Sequence, residues 1–252
     1  MNFKTFFHCE GITKYYNSEP VVEGVSLELP AGGFISLLGP SGVGKTTLFN
    51  VLSGVEGLTS PDTGRVFLDG EDITGICGKV SYMLQKDLLL EYRTVLDNVI
   101  LPLLIRGEKK KTAREKTAEF FPTFGLSGYE KKYPCELSGG MRQRAALLRT
   151  CMQHNPVILL DEPFSSLDAL TRRKMQSWYA EIAERMKIST LFITHDVDEA
   201  LSLSDVVYIL NGKPGRITQR VEVQPRRPRD ADFSVSREFA ELKRFILGAI
   251  GV

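Results

Sequence analysis

Between residues 34 and 47 a short, mostly apolar run, Phe34-Ile35-Ser36-Leu37-Leu38, breaks into Gly39-Pro40-Ser41-Gly42-Val43-Gly44-Lys45-Thr46-Thr47. Gly39, Gly44, Lys45 and Thr46 occupy the four defining positions of the G-x-x-x-x-G-K-[ST] pattern. That pattern constrains the fold because its chemistry needs one context, a loop that leaves a buried strand and opens a helix. Glycines let the loop turn at positive φ and bring backbone N–H groups against phosphate oxygens. The positive end of the following helix adds to the field. Lys45 supplies a mobile cation for β and γ phosphates, and Thr46 offers a hydroxyl to Mg²⁺. A glycine-rich turn carrying a surface lysine is the plainer alternative; the complete pattern after a strand outweighs it.

Three further apolar runs, 157–160, 190–194 and 206–210, share the length and the lack of alternation of the first. Such runs suit strands covered on both faces. Helical segments are predicted between them, at 46–53, 167–186 and 198–204, so the core reads as a mainly parallel α/β sheet. Segments 21–29 and 65–69 alternate and predict a smaller antiparallel sheet on one flank. From about 94 to 150 the patterning is helical, with a densely charged stretch at 109–119. The expected organisation is therefore an α/β core formed by 1–85 and 151–225, a helical insert at 86–150, and a tail at 226–252. In the tail, Phe239, Leu242, Phe245, Ile246, Ala249 and Ile250 are expected on one face of a short amphipathic helix. The arginines before it, Arg226, Arg227 and Arg229, are read as a cover for the edge of the core.

Composition narrows the function. Among 252 residues, Lys plus Arg number 32 and Asp plus Glu 31, a net charge of +1. A polynucleotide binder usually carries a strong basic excess, so no nucleic-acid partner is expected. No stretch approaches the ~20 apolar residues of a membrane span, and no signal peptide is read at the N-terminus. Cys9, Cys77, Cys135 and Cys151 show no metal spacing and are read as free thiols.

A second chemical signal lies at the end of the run 157–160, where Asp161-Glu162-Pro163 places two carboxylates. In an α/β sheet that is where ligands sit. Asp161 is placed to hold Mg²⁺, and Glu162 to orient or deprotonate an attacking water. Adjacent buried carboxylates repel unless a cation neutralises them, so the metal and the pair explain each other. Upstream, Leu137-Ser138-Gly139-Gly140-Met141-Arg142-Gln143-Arg144 opens an apolar-faced helix at 141–152. Ser138, Gly139 and Gly140 make a second potential anion site at a helix N-terminus.

One chain carrying both phosphate devices, in this order, resembles the ATP-binding subunit of ABC transporters over about residues 11–217. The resemblance implies a RecA-like P-loop NTPase core with an antiparallel β flank and an inserted helical subdomain. It implies ATP and Mg²⁺ as ligands. Tyr16, with Tyr15 the near rival, matches the aromatic that stacks on adenine. Gln85 matches the glutamine that looks toward metal and water. Ser166-Leu167-Asp168 resembles the loop lining a dimer seam, and His195 matches the switch histidine that senses the γ phosphate. Lys45, Gln85, Glu162 and His195 are the implied catalytic set, and Thr46, Gln85 and Asp161 the implied metal set.

The resemblance further implies that two chains face head to tail, most simply as a homodimer. Each ATP would lie on Lys45 and Asp161 of one chain and under Ser138 and Gly140 of the other. The pair would drive transmembrane permease subunits from the cytoplasmic face of the membrane, as a peripheral component. Leu88, Leu89 and Leu90 are expected either to line a groove for a permease helix or to pack inside the helical insert. The looser features Arg93-Thr94-Val95 and Pro214-Gly215-Arg216-Ile217 are similar to the importer branch for nitrate, sulfonate, taurine and pyrimidine thiamine precursors, in which an extracytoplasmic solute-binding protein acts indirectly. An exporter ATPase and a soluble ABC ATPase acting on DNA or ribosomes stay open as alternatives.

Overall fold

The computed structural model describes residues 5–251 apart from 166, 226, 228 and 230. Ser166 and Arg226 thus lie outside the described residues. Two sheets organise the chain. The larger has six strands in the order β10-β9-β3-β8-β7-β6, built from β3 (Phe34–Leu38), β6 (Ser81–Met83), β7 (Val157–Asp161), β8 (Ser189–Thr194), β9 (Val206–Asn211) and β10 (Arg216–Glu222). Its central pairs are parallel, with Leu38 opposite Thr194 and Leu160 opposite Phe192, and β10 closes one edge antiparallel to β9. The smaller sheet is antiparallel, in the order β2-β1-β4-β5, from β1 (Thr5–Tyr16), β2 (Glu19–Pro30), β4 (Thr63–Leu68) and β5 (Glu71–Asp72).

Every residue of β3, β7 and β8 is buried, the condition of a parallel sheet covered on both faces. Strand periodicity sorts these side chains into two cores. Ile35, Leu37, Val157, Leu159, Leu191 and Ile193 face the small sheet and α1 (Lys45–Leu52). Phe34, Ile158, Leu160 and Phe192 face the opposite way, against the helices. Those helices are α2 (Val95–Val99), α3 (Leu101–Ile105), α4 (Lys110–Ala118), α5 (Phe120–Thr123), α6 (Gly139–Cys151) and α7 (Ala169–Arg185). A third cluster joins α8 (Val197–Leu203) and α9 (Arg237–Ile250) to β9 and β10.

The fold departs from the sequence reading at several places. β1 and β10 are strands that the sequence did not announce. β1 carries register shifts between Cys9 and Ile12 and again near Lys14, so its apolar residues do not alternate regularly. On α9, Phe239 and Ile246 are buried, but Phe245 is 52% exposed. At about 100° per residue, position 245 lies roughly 100–120° off the stripe through 239 and 246. Helix α7 begins at Ala169 rather than 167 because the Asp168 carboxylate caps it, accepting from the N–H of Leu170 and Thr171. Leu89 is buried in the helical core, one of the two expected fates, whereas Leu88 is 53% exposed. Arg227 pairs with Asp205 and lies 4.8 Å over the Phe34 ring. Arg229 donates to the carbonyls that end α8. Arg227 thus covers the start of β3, and Arg229 the junction of α8 and β9. All four cysteines are free thiols. Among the described residues no helix is long and apolar enough to cross a membrane.

Candidate functional site

The glycine loop runs from the end of β3 into α1. Gly44 caps α1 at φ 102, and its carbonyl accepts from Leu48 N–H at 2.9 Å. A Cβ on Gly39 would stand 2.2 Å from the Leu210 carbonyl oxygen, and one on Gly44 2.5 Å from Val22. Gly39 is fixed by close approach alone, and Gly44 by close approach and by its left-handed backbone angle. Pro40, Ser41, Gly42 and Val43 complete the turn. Lys45 is only 6% exposed. Its ammonium donates to the carbonyls of Gly39 (2.7 Å) and Pro40 (2.9 Å), inside the loop it opens from. Burial lowers its pKa, and Glu162 and Asp161 oppose that shift.

Thr46, one residue on, donates its hydroxyl to Asp161 Oδ2 at 3.0 Å. This bond brings the loop and the end of β7 together. Asp161 is 4% exposed. Burial raises its pKa above the usual carboxylate range, the neighbouring Glu162 charge adds to the rise, and the contacts from Thr46, Lys45 and Tyr82 oppose it. A desolvated ammonium at Lys45 and a desolvated carboxylate at Asp161 therefore sit within electrostatic reach of each other. Each is relieved by a partner of opposite sign. A phosphate beside Lys45 and a hard, oxygen-seeking cation beside Thr46 and Asp161 fit this donor set.

Glu162 is turned out of the β7 register by φ 46, while its N–H still donates to Ile193 O at 3.1 Å. The turn sends its carboxylate away from Asp161 and toward two other elements. Gln85 Nε2, just beyond β6, donates to Glu162 Oε2 at 3.3 Å. His195 Nδ1, just beyond β8, stands 3.3 Å from Glu162 Oε1. Three residues from the C-terminal ends of three parallel strands thus meet, beside a cavity that Glu162, His195, Ser165 and Arg172 help to line. Tyr16, at the end of β1, donates its hydroxyl to Glu56 at 2.6 Å and meets the Thr47 side chain. The Lys14 ammonium lies 5.6 Å from its ring centroid.

The remaining expected site residues lie elsewhere. Ser138 caps α6 by accepting from Met141 N–H, and neither its hydroxyl nor the Gly139 and Gly140 backbone bonds to the 39–47 loop of its own chain. A Cβ on Gly140 would meet Thr171 of α7 at 3.3 Å, so this turn and the Asp168 cap share a neighbourhood. Asp168 is exposed, and its bonds to Thr171 and Leu170 hold its pKa below the usual range. His8 stacks on Phe67 in the small sheet, away from this chemistry.

Sequence reasoning missed the supports. Lys14 is buried between Asp62 (2.8 Å) and Glu56 (3.3 Å) and holds the ground beneath Tyr16. Arg142 grips Asp87 and Glu91, and Arg149 donates to the carbonyls of Leu88 and Asp87, so the segment after Gln85 is tied to α6. These partners lie far apart in sequence, and no local pattern marks them.

A strand–loop–helix cradle with a buried lysine, a Thr–Asp pair and a glutamate at the strand ends defines a P-loop nucleotide hydrolase. Comparison with known proteins sharpens that class. Residues 22–165 match the family model described as ABC transporter. The formylaminopyrimidine import ATP-binding protein ThiZ of Halalkalibacterium halodurans is 42% identical over 92% of this chain and 90% of its own. The aliphatic sulfonates import ATP-binding protein SsuB of Bacillus cereus is 36% identical over 94% of this chain and 93% of its own. Among solved structures, the dimeric ATP-binding cassette MJ0796 bound to ADP and Pi aligns with a TM-score of 0.75 at 25% identity, over 87% of this chain and 100% of that one. The cassette MJ1267 shares the fold, with a TM-score of 0.77 at 24% identity over 87% and 92%. The chain belongs to the ABC transporter family, as an ATP-hydrolysing, nucleotide-binding cassette.

Proposed function

We propose that this cassette is the motor subunit of an importer, and that two copies close head to tail around two Mg-ATP to drive membrane permease subunits. The observation that carries the reading is the convergence of Gln85 and His195 on Glu162, one residue from the Thr46–Asp161 pair. Lys45 leaves the carbonyls of Gly39 and Pro40 for the β and γ phosphates, and the loop N–H groups share the charge. Thr46 and Asp161, with Gln85 nearby, would hold Mg²⁺, which when bound would supply charge neutralisation to the phosphate oxygens. Glu162 accepts the proton of the attacking water, Gln85 orients the carboxylate and the water, and His195 hydrogen-bonds the γ phosphate. Tyr16 offers its ring to the base.

The exposed Ser138–Gly140 turn makes sense as a donor to the partner's nucleotide. One cradle leaves γ-phosphate charge open, and a facing helix terminus supplies N–H groups only on closure. ATP then favours the closed pair, and hydrolysis removes the ligand that distinguishes closed from open. Leu84, Leu88 and Tyr92 are exposed along the segment that Arg142 and Arg149 tie to α6. They fit a docking surface for a permease helix, which would place the subunit peripherally on the cytoplasmic face. The relatives' names point to a small organic solute of the formylaminopyrimidine or sulfonate class, and an extracytoplasmic solute-binding protein would deliver it.

Glu162→Gln tests the chemistry. It removes the base and keeps the shape, so turnover should fall by about 10² or more while ATP still binds and a closed dimer accumulates on a sizing column. Lys45→Ala should instead lose ATP affinity in calorimetry while staying folded. Wild-type turnover in Glu162→Gln would refute the assignment.

A further inference from the structure

Helices α7 and α8 meet at their N-termini through two paired side chains one turn apart. Arg172 of α7 donates through one terminal nitrogen to the Leu167 carbonyl at 3.0 Å, and its other terminal nitrogen lies 3.4 Å from Asp196 Oδ2. Four residues on, Gln176 Nε2 donates to Glu199 Oε1 at 2.8 Å. Each end of the first contact adjoins the site. Leu167 precedes Asp168, the cap of α7. Asp196 follows His195, and its carboxylate is divided between two tasks. Oδ1 caps α8 by accepting from Asp198 and Glu199 N–H, which leaves Oδ2 for Arg172. The Asp196 N–H is held in turn by Thr194 Oγ1 at 3.0 Å. Arg172, Glu162, His195 and Asp196 line one cavity, and the Arg172 Nε is buried beside it without a hydrogen-bond partner.

An ion pair whose side chains are 32% and 36% exposed and 3.4 Å apart contributes little stability. Its value lies in what it joins. The 162–168 loop carries Glu162 at one end and the α7 cap at the other, and the α8 entry carries His195. We propose that Arg172 is the positioning residue that holds His195 against Glu162, by tying the Leu167 carbonyl and the Asp196 carboxylate together so that both segments move as one body. A guanidinium suits this task because its fork serves two acceptors at fixed geometry, which an ammonium does not. The inference rests on the roles given above to Glu162 and His195. It adds that the Asp168 region and the switch histidine are mechanically one unit, so a partner chain pressing on the first moves the second.

The test compares steady-state ATPase in Arg172→Ala, His195→Ala and the double variant, with ATP binding and melting measured alongside. Arg172→Ala should lower kcat about tenfold, since small misplacement of a catalytic group is costly. KM for ATP and the melting temperature should stay near wild type. Arg172→Lys should recover part of kcat, because one of the two acceptors can still be reached. On the His195→Ala background, Arg172→Ala should cost nothing more. Unchanged kcat in Arg172→Ala, or the same tenfold loss with His195 already removed, overturns the proposal. Should Arg172→Ala not fold, Asp196→Asn keeps a good cap and removes the charge; wild-type kcat there overturns it equally. Wild-type turnover in His195→Ala alone would instead defeat the catalytic reading on which the inference stands.

Discussion

Gly215 lies far from the phosphate loop in sequence and presses directly on it. The β9–β10 connection is sewn to β2, with Gly215 N–H donating to Val21 O at 2.9 Å and Gly215 O accepting from Glu23 N–H at 3.0 Å. Held there, a Cβ on Gly215 would stand 2.1 Å from the Val43 carbonyl oxygen and 3.3 Å from Val43 Cγ2. Ordinary carbon–oxygen contact needs about 3.2 Å or more, so Gly215→Ala must displace one of the two backbones by about 1 Å. The glycine is pinned by two hydrogen bonds, and the Val43 carbonyl has none to a neighbouring strand, so the loop yields. The 43 carbonyl and the Gly44 N–H share one rigid peptide plane. Moving the oxygen turns a donor aimed at phosphate.

Overpacking of this kind costs about 1–3 kcal/mol, or about 2–12 °C of melting temperature for a chain of this size. A 1 Å misplacement of a positioning group costs about 10² in function. Gly215→Ala should therefore weaken ATP binding in calorimetry far more than it lowers the melt, although no residue of the loop has changed. Gly57→Ala is the control: a Cβ there meets nothing within 4 Å and needs no unusual backbone angle. Wild-type ATP affinity in Gly215→Ala would refute the reasoning.

Stability should depend on pH through two buried carboxyls. Burial raises both Asp161 and Glu199, so the folded chain holds those protons more tightly than the unfolded one. The nucleotide-free protein should gain melting temperature as pH falls from above their raised values toward the ordinary carboxylate range of about 4, and Asp161→Asn with Glu199→Gln should flatten that slope. Asp62 and Asp87 are held low by cations and backbone donors, and Asp97 by Arg114 and Lys110, despite their burial, so the stability they give is lost only below that range, whereas His154, which burial lowers, subtracts stability as pH falls through its ordinary range; the same slope of melt against pH in the wild type and in the double variant would contradict the assignment. Arg229→Ala should lower the melt by about 4–12 °C, for about 2–3 kcal/mol, because the guanidinium donates to the carbonyls of Leu201, Ser202 and Ser204 at the end of α8 and to Val223; an unaltered melt would reduce the tail to surface covering.

The parts legible in the sequence are those whose chemistry is local. A phosphate loop works through consecutive backbone N–H groups, so Gly39, Gly44, Lys45 and Thr46 must be neighbours in sequence, and the doubly covered strands β3, β7 and β8 announce themselves as mostly apolar runs without alternation. The supports were not legible because their partners are distant. Arg172 reaches Asp196, Lys14 reaches Asp62, and Arg149 reaches the backbone at 87 and 88. Gly215 entered the sequence reading only within the Pro214-Gly215-Arg216-Ile217 resemblance, since the atom that forbids its side chain belongs to Val43. β1 was hidden by its register shifts, and Phe245 by a stripe drawn one residue too wide.

The conformation of Glu162 links the two halves of the chemistry. Adjacent residues on a regular strand point to opposite faces. With φ 46, Glu162 instead leaves the strand in the left-handed region, which costs a non-glycine residue of order 1–3 kcal/mol. That cost is offset locally by its N–H bond to Ile193 O and by Ser165, whose N–H and hydroxyl both donate to the Glu162 carbonyl. The result is division of labour. Asp161 stays buried with Thr46 and Lys45, where a cation would relieve it, and Glu162 reaches Gln85 and His195, where the proposed mechanism has it accept a proton. A regular strand end would leave the second carboxylate without either partner, so the strain at position 162 is what would let two neighbouring acids take the two tasks proposed for them.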